Sequence, residues 1–196
     1  MTIHITSKNL HWNYLISLEK DLEVISRYIE FDEKNFEVFS IELAQLLFAA
    51  SSEVDVVAKL LCENLRPGYR VERINEYRDV ILNYIPDLPD YAISIPRHGM
   101  NFKPWQNWGL EERKSPDWWR SYNNVKHQRD IHFHEATLKN ALNSLGALLI
   151  LTAHLHARKL DLSLEQHSIK HALGELEPKT TLMYLDGDFY YSNLVC

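Results

Sequence analysis

Apolar positions recur at intervals of three and four along most of this chain, the pattern of helices with one face against a core. The first stripe is Trp12, Leu15, Leu18, Leu22, Ile25 and Ile29, with Ser7 or Asn9 placed to cap it. After the charged turn Phe31-Asp32-Glu33-Lys34, Asn35 is the expected cap of a longer second helix. Phe39, Leu43, Leu46, Leu47, Ala50, Val54, Val57, Leu61 and Leu65 carry its buried face, and Arg66-Pro67-Gly68 stops it. A third helix is expected from Val71 to Ile85, ahead of Pro86.

The pattern breaks between about 87 and 114, where Pro89, Pro96, Pro104, Gly99 and Gly109 fall. Its one alternating piece, Tyr91 to Ile95, reads as a short strand, and Arg97-His98-Gly99 as the turn leading back into Met100 to Trp105. Long irregular segments in compact domains are often functional. This one reads as an ordered flap pinned by Trp105 and Trp108.

Helical periodicity resumes at Ser115. Ser115 reads as N-cap, Pro116 as the first helical residue, and Asp117 as an acid favoured by the helix dipole. Asp130 is then the expected cap of a long, very apolar helix from Ile131 to about Lys159, the natural centre of a bundle. Ser163-Leu164-Glu165-Gln166 reads as a capping box for a short last helix ending at Gly174. Thr180 to Leu185, Asp186-Gly187 and Asp188 to Tyr191 read as a hairpin. The expectation is therefore one domain over residues 1–196: an all-α bundle of about five helices with a small β-hairpin insertion at 87–114 and a C-terminal extension from 161.

Composition changes this picture little. Hydrophobic residues make up 45% and charged residues 24%, a globular balance. The formal net charge of −6 excludes a general polyanion binder, so any nucleic-acid contact needs a local basic patch. Arg113, Lys114, Arg120, Lys126 and Arg129 form one, against the single acid Asp117. The N-terminal stretch has neither a basic nor an apolar signal region, and the apolar run at Leu145 to Leu151 is too short to span a bilayer. A cytoplasmic location and no membrane partner are expected.

Cys62 and Cys196 are too few for a disulfide scaffold or a cysteine zinc site, and Cys62 reads as a reduced core residue. Ten histidines raise the question of a metal. His132/His134 and His154/His156 are two apart, which on a helix points them away from each other. His167 and His171 share a face but lack a metalloprotease motif, so surface or helix-end histidines and no metal site are expected. Nucleophilic triads, glycine-rich phosphate loops and paired catalytic carboxylates leave no signature, and no cofactor is expected. Glu53, at the edge of the second stripe, reads either as a boundary acid paired with a Lys or Arg of a neighbouring helix or as an acid orienting the cations of the 115–131 stretch.

That stretch, SPDWWRSYNNVKHQRDI, holds the coherent chemistry. Arg120 and His127 are seven apart, nearly two turns, and leave one helical face with Asn123 and Asn124 between them. Cleaving RNA without a metal needs a base to take the 2′-hydroxyl proton and a cation to hold the phosphate as charge builds. His127 and Arg120 supply both, and Asn123 orients either partner. Lys126, Arg129 and Asn124 extend the polar face, while Tyr122, Trp118 and Trp119 are candidates for stacking on an unpaired base. The structural alternative pairs Arg120 and Lys126 with acids on neighbouring helices and has His127 cap a carbonyl.

The helical pattern over 10–65 and 115–160, with Arg120 upstream of Asn123-Asn124-Val125-Lys126-His127, resembles the HEPN superfamily of all-α domains. The resemblance implies a homodimer in which an Arg-x(4–6)-His motif of each subunit lines a shared cleft. It implies either a metal-independent endoribonuclease of bacterial defence or toxin–antitoxin type or a non-catalytic module binding a nucleotide or an antitoxin-like protein. Arg120 to His127 matches the widest spacing, with Ser121 as the residue after the arginine. If the Asn-x-x-x-His part is aligned instead, Tyr122 takes the arginine position. A second register, Arg129-Asp130-x3-His134, matches the short form and has an acidic follower.

Overall fold

A computed structural model of the chain describes residues 8–185. Seven α-helices account for most of them: α1 (Leu10–Ile25), α2 (Ile41–Leu65), α3 (Ile74–Tyr84), α4 (Asp117–His127), α5 (Arg129–His132), α6 (Leu138–Lys159) and α7 (Gln166–Gly174). Helices α2 and α6 pack against each other along their lengths. Around this pair, α1 and α4 each touch both members, α3 lies on α2 and α7 on α6. The predicted stripes are the buried faces: Trp12, Leu15, Leu18 and Leu22 on α1, and Leu43, Leu47, Ala50, Val54, Val57 and Leu61 on α2. Sixteen residues of α6 are buried. Burial on nearly every side suits the central element of a helical layer structure.

Several helix boundaries differ from the expectation: α1 ends at Ile25 rather than about Ile29, α3 starts at Ile74 rather than Val71, and α7 is preceded by Glu165 as N-cap rather than Ser163. Helix α2 starts at Ser40, not Asn35, because the Ser40 hydroxyl accepts the Leu43 N–H at 3.1 Å. The expected fifth helix from Ile131 is broken into the single turn α5, a 3-10 turn at Phe133–Glu135, and α6. The break comes from Thr137, which caps α6 by accepting the Asn140 N–H at 3.3 Å and lies extended in a bridge to Phe39. Leu138 N–H donates to the Val38 carbonyl at 2.8 Å in the same pairing, so the strands leading into α2 and α6 are tied together. In α4, Pro116 is the N-cap, with ψ 142°, and Asp117 the first helical residue, one position later than expected.

The flap is ordered. Strand β1 (Ile93–Ile95) pairs antiparallel with β2 (Met100–Phe102), Ile93 opposite Phe102, and Gly99 closes the turn at φ 62° in the left-handed region. Trp105 and Trp108 are fully buried with ring centroids 4.2 Å apart, and Trp105 meets Trp118 of α4 edge-on at 5.3 Å. The Trp118 indole N–H donates to the Pro104 carbonyl at 2.9 Å, which fastens the flap to α4. A third strand, β3 (Tyr184–Leu185), joins the other edge of β1. The expected C-terminal hairpin thus contributes a strand to the flap sheet; its turn and return strand, from Asp186, lie outside the described residues.

Candidate functional site

Helix α4 packs on α6 and α2 through Trp118, Ser121, Tyr122 and Val125, all buried, and these spacings leave the opposite face outward. Arg120, Lys126 and His127 are exposed on it. Lys114, Ser115, Trp119, Arg120, Asn123 and Asn124 line an open cleft of about 340 Å³. The structure therefore brings Arg120, Asn123, Asn124 and Trp119 to one cleft together with the cation Lys114, and leaves His127, Lys126 and Arg129 beyond its wall. Arg120 donates to Asp117 at 3.1 Å, an exposed i,i+3 pair whose geometry a competing anion displaces at little cost.

The other candidates divide by depth. Tyr122 is buried against Phe48 and Trp119, and its hydroxyl accepts from the Lys126 ammonium at 3.2 Å. The Arg129 guanidinium lies over the Phe48 ring, 4.9 Å from its centroid. The Asn123 amide donates to the Trp119 carbonyl within α4 at 2.8 Å. Asn124 donates to both carboxylate oxygens of Glu135, at 3.2 and 3.1 Å, and His132 Nδ1 lies 2.7 Å from one of them. Burial pushes the Glu135 carboxyl up, and the hydrogen bonds from Asn124, Ser121 and His132 outweigh it, leaving the group below the ordinary glutamate range. The Arg129/His134 register spans two elements: Arg129 opens α5, and exposed His134 sits in the 3-10 turn.

Elsewhere the polar interior differs from expectation. Glu53 pairs with His11 of α1, at 2.6 Å, rather than with a Lys or Arg or with the cations of α4. His154 is fully buried, not a surface or helix-end residue: Nδ1 donates to the Ile150 carbonyl at 2.7 Å, Nε2 has no partner among the described residues, and the ring meets Tyr91 edge-on. Cys62 is free and buried, as expected, with burial pushing its thiol up to about 12. Among the described residues no three His, Cys, Asp or Glu are grouped to hold a metal ion, and no helix is long and apolar enough to cross a membrane.

Sequence periodicity missed Glu19 and Glu135. Glu19 is 2% exposed on α1 and accepts the backbone N–H groups of Thr181, Leu182 and Met183 at 2.9–3.1 Å. An acid inside the Leu15-Leu18-Leu22 stripe was the available signal. Comparison of the chain with family models, curated proteins and solved structures returns no match.

Proposed function

We propose that this chain is a HEPN-like, metal-independent endoribonuclease of the bacterial defence or toxin–antitoxin kind, acting as a homodimer. The observation that carries the reading is the outward face of α4, where exposed Arg120 lines a cleft with Asn123, Asn124, Trp119 and Lys114 and exposed His127 lies on the same helix beyond its wall. In this reading His127 acts as general base on the 2′-hydroxyl or as general acid to the departing 5′-oxygen as the P–O5′ bond breaks, Arg120 leaves Asp117 to hold the scissile phosphate, and Asn123 orients the pair. Lys126, Arg129 and Asn124 support the strand, and the Trp119 ring stacks on a base.

Arg120 and His127 are seven helical steps apart, about 10 Å along the axis. Two copies of α4 crossing antiparallel about a twofold axis set the arginine of each chain toward the histidine of the other. The dimer thereby narrows a gap that one chain leaves wide. Incubating the purified protein with mixed RNA in EDTA tests the activity, with Arg120→Ala and His127→Ala as controls. Sedimentation at micromolar concentration tests the dimer.

The burial of Tyr122 and the Arg120–Asp117 pair favour a second reading, a non-catalytic module that binds a nucleotide or a protein through the same face. It predicts no turnover, and a rise in thermal stability with ligand.

A further inference from the structure

A second cavity, of about 230 Å³, lies between the flap, the first turn of α4 and the first turns of α6. It does not include Arg120 or His127. Its walls combine three chemistries. Phe36, Phe102 and Trp118 contribute aromatic surface. Asn101, Gln106 and Asn107 contribute side-chain amides that have no hydrogen-bond partner among the described residues. Lys103 and Lys139 bring positive charge against the single acid Asp117.

These elements are anchored. The Trp118 indole is bonded to Pro104, and the Lys139 backbone N–H donates to the Phe36 carbonyl at 3.2 Å. Lys103 is paired with Asp90 at 3.1 Å, whereas the Lys139 ammonium has no acidic partner among the described residues. The N–H groups at the start of α6 are already taken by Val38, Phe36 and Thr137, so an anion here has to be held by a side chain. Lys139 is that side chain. Asp117 is drawn toward Arg120, which reduces its opposition to an anion.

Aromatic surface for a flat ring, amides for its polar edge and a free ammonium for an anion are the groups that recognise a nucleobase carrying a phosphate. The volume is below the range of roughly 300–1,000 Å³ of drug-sized sites, which suits one nucleotide. We propose that this cavity is a mononucleotide site: Lys139 holds the phosphate, Gln106 and Asn107 read the base edge, and the aromatic wall packs against the ring. The site stands independently of the nuclease reading.

Calorimetric titration of the full chain tests it, with the four nucleoside 5′-monophosphates, the matching nucleosides and inorganic phosphate as probes. At least one monophosphate is expected to bind more tightly than its nucleoside or phosphate alone. Lys139→Ala and Gln106→Ala, both exposed positions, each weaken it by roughly tenfold, while His127→Ala leaves it unchanged. A short single-stranded oligodeoxynucleotide, which lacks the 2′-hydroxyl, separates the two sources of such a ligand. Displacement of the monophosphate by the strand assigns the cavity to a nucleotide of a chain, and no displacement assigns it to a free nucleotide. Absence of binding by every monophosphate, or binding indifferent to both substitutions with the fold intact by circular dichroism, overturns the proposal.

Discussion

The Asn124 amide of α4 spans both carboxylate oxygens of Glu135, eleven residues further on, at 3.2 and 3.1 Å. This clamp folds the α5 turn back on the candidate helix and so fixes where His127 and Arg129 emerge. Glu135→Gln is expected to cost roughly 1–3 kcal/mol at neutral pH, since it swaps an acceptor for a donor facing Asn124. Because the folded Glu135 carboxyl lies below its unfolded value, its stabilisation is present above about pH 4.3 and is lost as pH falls through the folded value. Thermal melts of both proteins from pH 7 downward are therefore expected to converge in acid.

His154 acts in the same direction, in a window that begins at higher pH. Burial holds its imidazole down to about 4, so between roughly pH 6.5 and 4 the unfolded chain takes up a proton that the folded chain refuses. Stability falls as pH drops through that window, by up to about 1.4 kcal/mol per pH unit from this residue. His154→Leu, which keeps the volume and removes the titrating imidazole, is expected to flatten the slope in denaturant unfolding measured between pH 7 and 5. An unchanged slope would contradict the assignment.

Glu19 joins α1 to the segment that leads into β3 through three backbone N–H groups. Glu19→Gln places amide hydrogens against those donors, and Glu19→Ala leaves them unpaired. Each is expected to lower stability by about 2–4 kcal/mol. Hydrogen exchange at Thr181, Leu182 and Met183 should accelerate in both variants, while amides in the α2–α6 pair keep their relative protection.

Gly146 is the point where α6 meets the flap. A Cβ there would lie 3.0–3.1 Å from Phe102, Ile93 and Pro104. Gly146→Val is expected to destabilise by roughly 1–3 kcal/mol through overpacking, despite the usual helical penalty of glycine. At Gly174, where no described residue lies within 4 Å of an added Cβ, Gly174→Ala should be neutral or slightly stabilising. Urea unfolding of the two variants gives the comparison.

The helical class, the central place of α6 and the pinning of the flap by Trp105 and Trp108 were legible in the sequence, because periodicity reports burial and aromatic residues seek it. The break at 133–137 was not, since it depends on Thr137 pairing with Phe39 across about a hundred residues. Nor was the pairing of the third strand: Thr180 to Leu185 reads as a strand, but its partner β1 lies some ninety residues away. At the candidate site, spacing correctly placed Arg120, Asn123 and His127 on an accessible helix. It was blind to Asn124 and Glu135 finding each other, and to Tyr122 turning inward, because both depend on what packs beside α4.

The composite Arg120–His127 site is tested most directly by RNA cleavage in EDTA with the wild type, Arg120→Ala, His127→Ala and a re-equilibrated equal mixture of the two variants. The wild type is expected to cut and each variant alone to lose activity. In the mixture half of the dimers are heterodimers with one intact site of two, so about a quarter of wild-type activity should return. A wild type that leaves RNA uncut, or variants as active as it, would contradict the nuclease assignment, and inactive variants with no recovery on mixing would contradict the shared cleft.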